Sequence, residues 1–462
     1  MKKLSVFGLI LSCLFGPMAH GSPVGTIFSS PTTGDAASVY WNPAAMTLLK
    51  GHHLMLFGGG SPIWATYQRD VPSPHDGLIA PKADIFMVAP SATIAGVTDA
   101  GLDRFRFGFA VSAPLVAGAS WKRTYDGRPS PTRYFVEDGY EVTIISQLAA
   151  ALRINRYLSI GVGLDLYTTL TKFTFEMDFA SQINHLACSA DPSSCRVDSP
   201  LARENPAYDA HGYNRGVGWS VGLTAGLLIT PTPWLRFGVG LHTGGGDVGY
   251  NVTLFLDVPP AARDFLARSF PSITLPPLEA EFEAVLHIPM IINVGMAIEP
   301  FHRLELGLDL EWINESETGL ILANLLDDRS GGLIHDIVLV KGKRDYWQTA
   351  LHARYELTER WHLGGRLEYR PSTRAEEWIS PVSVDFSRVG AHFGARWQVL
   401  PYLALSLEYS HFFLFDVTVK NTRFGFNPDP TTPEELGLDK PSPTGLYTAD
   451  AIRLGFGAEF SF

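Results

Sequence analysis

Residues 304–312 read LELGLDLEW, and the alternation in this stretch decides the fold of the chain. Leucine or tryptophan occupies every even position, while Glu305, Asp309 and Glu311 fall on odd positions. Because successive side chains of a strand point to opposite faces, the stretch predicts a strand with one apolar face and one polar face.

The same two-residue period recurs along the chain of 462 residues, for example in WHLGGRLEYR at 361–370 and IRLGFGAEFSF at 452–462. Several of the segments are longer than the five or six residues that are usual in soluble sheets. The pattern predicts fourteen strands: 52–68, 84–97, 104–116, 139–154, 157–178, 212–229, 233–256, 278–298, 302–316, 345–357, 360–370, 384–398, 401–417 and 448–462.

The connections between these strands alternate strictly between short and long. The short ones read TDAGLD, NR, TPT, EPF, TE and LP. The longest of the others are 179–211, 257–277, 317–344 and 418–447. Short turns at one end and long loops at the other are typical of outer-membrane barrels, which have periplasmic turns and external loops.

A soluble β-sandwich also shows alternation, so the position of the aromatic residues is informative. Tryptophan and tyrosine cluster beside the short turns, as in an aromatic girdle at a membrane interface. They are Tyr157, Trp234, Trp361, Trp397 and Tyr402. Since only a closed sheet satisfies all backbone groups in a bilayer, we predict an all-β fold, a 14-stranded antiparallel transmembrane β-barrel ending at Phe462.

The N-terminus predicts export to the bacterial outer membrane. Lys2 and Lys3 precede an apolar run, and small residues around position 21 predict a signal peptide over 1–21; a lipoprotein signal at Cys13 is the alternative. No later apolar run is long enough for a membrane helix. The net charge of −11 excludes a nucleic-acid partner. In an oxidising compartment, Cys188 and Cys195 predict a disulfide.

The segment GDAASVYWNPAAM at 34–46 has no strand pattern. A fourteen-stranded barrel has a lumen too wide for its own side chains to fill, so we predict that residues 22–50 form a compact plug before the barrel of 51–462. Asn42 and Pro43 favour a rigid turn. A disordered lead-in is the alternative, but the apolar side chains of Trp41 and Met46 disfavour it.

The same segment resembles the hatch motif of the FadL-type family of outer-membrane transporters, in which small residues lead to Asn-Pro-Ala. The motif positions are Asp35, Trp41, Asn42, Pro43, Ala44 and Met46. The stretches 139–164, 226–244 and 384–397 also resemble the family. The chain departs from it in a shorter segment before Asn42 and in LVAGASW after Pro114.

The resemblance implies passive uptake of long-chain fatty acids or similar hydrophobic molecules, including aromatic hydrocarbons, by a monomer without enzyme activity, metal or cofactor. Cargo would be captured by external loops, pass to a lumenal pocket and leave sideways into outer-membrane lipid through a kinked third strand. We place this kink at Gly108, between Phe107 and Phe109, because glycine within a strand often marks a bulge; an ordinary small residue facing the lumen is the alternative.

For capture, residues 258–278 predict a short amphipathic helix that exposes Phe265, Leu266 and Phe270 at the barrel mouth, unless these side chains pack against other loops. The arginines of the second external region are available to attract a carboxylate or to contact anionic lipid. They are Arg123, Arg128 and Arg133.

Three other function classes stay open: an outer-membrane lipid hydrolase, a polar-solute porin and a surface adhesin. Residues 218–222, GWSVG, spell the hydrolase motif G-x-S-x-G around Ser220, but the motif lies inside a predicted strand and not at a strand–turn–helix junction. The histidines, including His52 and His53, show no metal-ligand spacing.

Overall fold

Fourteen antiparallel strands form a closed barrel in the computed structural model, which describes residues 19–20, 24–70, 79–180, 204–269, 278–328, 337–340, 342–423 and 442–462. Each strand pairs with its sequence neighbours, and the first pairs with the last from His53 opposite Ser461 to Arg69 opposite Gly445. Among these residues no helix has both the length and the apolar character needed to cross a membrane.

The strand bounds confirm the fourteen predicted strands, five of which are interrupted. They are β1 His52–Arg69, β2 Lys82–Thr98, β3 Phe105–Ser120, β4 Asp138–Arg153, β5 Leu158–Asp178, β6 Asp209–Thr232, β7 Leu235–His242 with Gly246–Asp257, β8 Leu278–Ile288 with Ile291–Phe301, β9 Leu304–Ile313 with Leu320–Asp328, β10 Ile337–Val340 with Tyr346–Thr358, β11 Trp361–Arg370, β12 Arg388–Leu400, β13 Leu403–Leu414 with Val417–Val419, and β14 Gly445–Ser461.

The apolar faces of the strands point away from the barrel axis. Leu148, Val162 and Leu223 are among the exposed large side chains, whereas Asp165 and Arg453 are fully buried on the inner face. In a sandwich the two apolar faces would pack against each other and the charged faces would meet water. The burial pattern therefore confirms a barrel with a lipid-facing exterior and a polar interior.

The aromatic residues beside the short turns lie on the outer surface, as predicted. Their exposure ranges from 40% for Trp397 to 53% for Trp234. Trp361 and Trp397 stack across β11 and β12 with ring centroids 5.5 Å apart. Amphipathic rings in this position fit the level of the lipid head groups.

β3 is the irregular strand of the barrel wall. It pairs with β2 only from Phe107 to Ser112, so β2 has no ladder to β3 between Lys82 and Ala92. On its other side, the register with β4 shifts between Ser112 and Leu115. Pro114 lies in this shift and has no N–H to donate to a ladder.

The predicted kink at Gly108 therefore needs correction. Phe107, Gly108 and Phe109 all lie in regular register with β2 and β4, and the irregularity begins beyond Ser112. Gly108 is instead a point of close approach inside the barrel. A Cβ atom there would lie 2.6 Å from both the Met46 sulfur and Val39.

A short strand, Ala19–His20, pairs with Val116 and Leu115 of β3, on the edge that β2 leaves unpaired. These two residues belong to the predicted signal peptide. Apart from them, that peptide lies outside the described residues, as do Cys188, Cys195 and Phe270.

External segments fold inward over the lumen. Residues 121–137 contain a small hairpin of Thr124–Tyr125 and Arg128–Pro129. Trp121 and Phe135 from this segment join one apolar core with Ile379 and Val382 from the segment between β11 and β12. The outer half of the lumen is therefore lined and partly filled by apolar side chains.

The structure corrects the expected role of Arg133. This side chain is 2% exposed, and its Nε donates to Asp209 at 2.8 Å, so it is not available at the surface. Arg123 remains 61% exposed and pairs with Glu137 at 2.9 Å.

The predicted loop helix is present as α2, Pro260–Ser269. Leu266, however, is only 3% exposed, and Phe265 packs edge-on against Tyr208 with centroids 6.4 Å apart. The expectation that Leu266 is exposed is wrong, because the apolar side of α2 packs against the barrel mouth.

Candidate functional site

Residues 24–50, called the hatch below, lie inside the barrel. They contain helix α1, Ser38–Trp41, followed by a 3-10 helix, Pro43–Leu48. Every residue from Val24 to Thr47 is buried except Gly34 and Asp35, which are partly exposed. The hatch thus replaces lumen volume that the wall cannot fill by itself.

Asn42 joins the two short helices and ties them to the wall. Its side-chain oxygen accepts the N–H of Ala44 at 3.1 Å, which caps the 3-10 helix. Its amide nitrogen donates to the carbonyls of Pro31 at 2.8 Å and Leu227 of β6 at 3.0 Å. Pro43 occupies the first helical position, where a missing N–H costs nothing. The Asn-Pro-Ala sequence is therefore a junction between hatch and barrel.

A belt of wall glycines lets the hatch backbone approach the strands. A Cβ atom at Gly240 would lie 2.0 Å from the carbonyl oxygen of Trp41, and one at Gly226 would lie 2.3 Å from the Asn42 oxygen. The belt continues on five other strands, where a Cβ atom would also meet hatch atoms: Gly108, Gly161, Gly295, Gly364 and Gly394.

Polar wall side chains bind the hatch backbone where no strand is available. Arg106 donates to the carbonyl of Leu49 at 2.6 Å, and Arg354 donates to that of Phe28 at 2.5 Å. Glu408 accepts the N–H of Ile27 at 2.8 Å. Since buried backbone groups need partners, these contacts stabilise an irregular segment.

His242 of β7 makes a further contact to the hatch. Its Nε2 lies 2.9 Å from the carbonyl oxygen of Tyr40, and its Nδ1 lies 3.0 Å from a carboxylate oxygen of Asp165 on β5. The imidazole also packs against the Tyr40 ring, with centroids 4.7 Å apart and the planes tilted by 35°. Both His242 and Asp165 are buried.

Inside the hatch, Asp35 accepts a hydrogen bond from Ser29 at 2.6 Å. Burial raises the pKa of Asp35 from 3.8 to about 6. A cavity of about 100 Å³ beside it, at the end of the short turns, is also lined by Arg396 and Glu459, which are 2.7 Å apart.

Trp41 and Met46 fix the hatch internally and against β3. The indole N–H of Trp41 donates to the carbonyl of Val24 at 2.8 Å, and its ring meets Tyr40 edge-on at 5.5 Å. Met46 is fully buried near Gly108.

A cavity of about 560 Å³ lies at the outer end of the wall beside the unpaired parts of β2 and β3. Its apolar lining includes Trp64 and Phe86, whose rings are 5.3 Å apart, together with Ile85. Ser120 and Lys122, at the outer end of β3, line the other side. The interrupted ladder therefore lies beside a cavity large enough for a small apolar molecule.

The lumenal charges of β9 to β14, together with Arg236 of β7, compensate one another. Asp309 pairs with Arg366 at 2.8 Å, Glu368 with Arg388 at 3.4 Å, and Glu408 with Arg453 at 2.8 Å; Glu305 pairs with Arg236. These ion pairs link neighbouring strands and make one side of the lumen polar.

Two other chemical possibilities are weak. The Ser220 hydroxyl is buried within β6, and among the described residues it has no hydrogen-bond partner that could act as its base. Glu137, Glu176 and His211 bring three possible metal-ligand atoms within 4.8 Å. Arg123 already donates to Glu137 and contacts His211, however, and compensates their charge.

Sequence reasoning identified the hatch but missed the glycine belt and His242. The glycines occupy inward positions of several strands, as in GVG at 238–240 and at 161–163, and this spacing was available as a signal. The pairing of His242 with Tyr40 crosses 202 positions of sequence and leaves no local pattern.

Comparisons with known proteins agree with this architecture. Residues 22–462 match the family described as "Outer membrane protein transport protein (OMPP1/FadL/TodX)". No curated protein sequence matches the chain.

Several solved structures share the fold. A Pseudomonas aeruginosa FadL homologue is 19% identical, with 97% of this chain and 100% of that chain covered and a TM-score of 0.74. The Pseudomonas putida toluene transporter TodX is 14% identical, with 100% and 99% covered and a TM-score of 0.61. The Ralstonia pickettii toluene transporter TbuX is 15% identical, with 99% of each chain covered and a TM-score of 0.58.

Proposed function

Because the chain belongs to the OMPP1/FadL/TodX family of transporters for hydrophobic compounds in the bacterial outer membrane, we propose that it takes up long-chain fatty acids or similar apolar molecules passively. The cargo enters from outside and leaves sideways into the membrane. The hatch stays in the lumen and blocks an aqueous path.

The observation that carries this proposal is the combination of a filled lumen and an interrupted wall. The hatch contacts β2 through Thr93, β6 through Leu227 and β13 through Glu408, so it reaches widely separated parts of the barrel. The missing ladder between β2 and β3, with its cavity of about 560 Å³, supports an exit through the wall.

A sideways exit suits an apolar cargo. Each methylene group kept out of water contributes about 0.8 kcal/mol, so a water-filled channel would oppose transport of an acyl chain. The cavity at the gap is bordered by outward Trp64 and Phe86, which are 44% and 58% exposed. Asp84, Lys122 and Asp450 also line this cavity, so we expect the cargo to follow its apolar side along Trp64 and Phe86.

Entry is assigned to the apolar outer half of the lumen. Phe173 and Phe175 of β5 and Phe282 of β8 belong to the same buried core as residues of the inward-folded external segments. The exposed side of α2, where Phe265 is partly exposed, is the proposed first contact.

The apolar contacts described above do not distinguish between hydrophobic molecules of similar width. Two of the structures that share the fold are described as toluene transporters. The proposal therefore covers fatty acids, alkanes and aromatic hydrocarbons, held by apolar contact and without a cofactor.

The test is uptake of a labelled panel containing oleate, hexadecane, toluene and the polar sugar maltose by cells that lack their own transporter of this family. We expect expression of the protein to increase uptake of at least one apolar compound and leave maltose uptake unchanged. Increased maltose uptake without any apolar uptake would contradict the proposal and indicate a porin.

A further inference from the structure

We propose that Lys172 and Arg215 form a binding site on the outer surface of the barrel for the phosphorylated head group of an outer-leaflet glycolipid. The two residues lie on neighbouring strands, β5 and β6. The site is separate from the hatch and from the cavity beside β2 and β3, and it does not depend on the identity of the cargo.

The outward faces of β5 and β6 are apolar from the short turns up to Leu170 and Val217. On β5 the outward positions between Ile160 and Leu170 are apolar except for Thr168. On β6 every outward position from Ile229 to Val217 is apolar. The ten residue steps on β5 rise about 25 Å at a strand tilt of about 40°, which is the height of the apolar band of an outer-membrane barrel. The next outward positions therefore lie at the level of the lipid head groups.

Both of these next positions carry a positive charge. Lys172 follows Leu170 on β5, and Arg215 comes before Val217 on β6. The register places Lys172 directly opposite Arg215, and Arg215 is exposed while Lys172 is half-buried. Like charges in directly opposed positions of a sheet destabilise it. An anion bound between the two side chains would remove this repulsion.

The flanking strands do not supply that anion. Tyr140 of β4 lies opposite Lys172. Thr253 of β7 lies opposite Arg215. Asp138, the next outward residue of β4, lies opposite Thr174, one outward position above Lys172. The ion pairs among the described residues include neither Lys172 nor Arg215.

The other carboxylates of this surface are paired or more distant. Glu176, two outward positions above Lys172, pairs with His211 at 3.1 Å. Glu281 of β8 lies two strands away from Arg215, about 10 Å at the usual strand spacing. This separation is close to the Debye length in physiological salt. The surface around Lys172 and Arg215 therefore remains positive on the side of β4 to β6.

A phosphorylated glycolipid fits both the charge and the depth of this site. The guanidinium of Arg215 can donate two N–H groups to phosphate oxygens, and the ammonium of Lys172 adds a second charge. Acyl chains of the same molecule would lie on Trp219 and Leu223 below, which are 69% and 58% exposed. Free phosphate would make only the polar contacts, so the lipid is the better ligand.

The experiment titrates delipidated full-length protein in detergent with bisphosphorylated lipid A and measures the bound fraction by native mass spectrometry. We expect the double variant Lys172→Gln/Arg215→Gln to bind lipid A about tenfold more weakly than the unmodified protein, because each cation near a lipid surface contributes to binding. The matched control is Arg104→Gln/Arg156→Gln, which removes the same charge from exposed side chains near the short turns. It should keep the affinity of the unmodified protein.

Two further ligands separate the contributions of phosphate and lipid. Lipid A without its phosphates should bind the unmodified protein about tenfold more weakly than bisphosphorylated lipid A does. Inorganic phosphate at the same concentration as lipid A should not displace it. Equal affinity for lipid A with and without phosphates, or displacement by inorganic phosphate, would overturn the proposal.

Equal affinities of the double variant and the unmodified protein, or an equal loss in the control, would also overturn it. If the double variant does not assemble into a heat-modifiable barrel, Lys172→Gln and Arg215→Gln are measured separately. Each should then weaken binding about threefold, and unchanged affinity in both would contradict the assignment.

Discussion

At the scale of single residues, the hatch fits against glycines of the barrel wall, which have no side chain. A Cβ atom at position 240 would lie only 2.0 Å from the carbonyl oxygen of Trp41, so glycine is needed for this close approach. We predict that Gly240→Ala displaces the hatch at a cost of about 1–3 kcal/mol, the range for overpacking a filled interior. Faster hydrogen exchange in residues 38–48 is the expected result.

Gly58→Ala is the matched control for this change. Gly58 also lies in a barrel strand, but a Cβ atom there meets nothing within 4 Å. Exchange in the hatch should match that of the unmodified protein. Equal effects of the two substitutions would show that strand glycines matter for the barrel and not for the hatch.

Asp35 predicts that the stability of the hatch in the barrel depends on pH. Its pKa is about 6 in the seated hatch and 3.8 when exposed. Asp35 therefore binds its proton more tightly when the hatch lies inside the barrel. The stability of the hatch in that position falls as the pH rises from about 4 to 6 and is constant above. The change is at most about a hundredfold, since each pKa unit is a factor of ten.

Asp35→Asn keeps a hydrogen-bond acceptor for Ser29 and removes the charge. Hydrogen exchange of the hatch between pH 4 and 6 should lose its pH dependence in this variant, and at pH 7 the hatch should be better protected than in the unmodified protein. Parallel profiles for the two proteins would contradict the assignment to Asp35.

At the scale of elements, alternation was sufficient to predict the barrel because each strand has one lipid-facing and one lumenal face. LELGLDLEW at 304–312 became a strand of Leu304–Ile313 with Asp309 buried. The hatch was predictable because an apolar segment with Asn-Pro-Ala has no strand period.

The position at which the ladder between β2 and β3 ends was not predictable in the same way. Glycines are frequent in these strands, and Gly108 looked like a bulge although it accommodates Met46 and Val39. The true irregularity depends on which residues of β2 and β3 pair, and that is a property of the sheet and not of one strand. Leu266 was misassigned for a similar reason, since a helix periodicity does not show which surface will cover it.

The bulge in β3 yields a prediction about the exit. Between Ser112 and Leu115, β3 uses three steps where β4 uses two, from Ile145 to Thr143. Deleting Ala113 should remove the extra residue, let β3 continue its ladder along β2, and reduce uptake of the apolar cargo at least tenfold by closing the gap.

The measurement is cargo uptake normalised to the amount of heat-modifiable barrel at the cell surface. Deleting one residue from the long external segment after β3, such as Asp126 in the exposed hairpin turn, serves as the control and should preserve uptake. Normal uptake by a well-assembled Ala113 deletion would remove β3 from the proposed exit.

At the scale of the whole molecule, the proposed function follows from the different contents of the two halves of the lumen. The half near the short turns holds the hatch, anchored by Asn42, His242 and a belt of glycines. The outer half contains an apolar core, which inward-folded segments cover, and buried ion pairs such as Arg133 with Asp209. Charged pairs such as Glu408 with Arg453 are directed into this closed interior and do not line an open pore. In such a barrel, the proposed route for a hydrophobic cargo is through the wall.

The most direct test of this central claim is the conductance of the purified protein in a planar lipid bilayer, compared with a variant in which residues 24–47 are deleted. A plugged barrel predicts little steady conductance for the intact protein and large, steady, ohmic steps for the deletion variant. Large steady conductance from the intact protein would show an open aqueous pore and contradict the account.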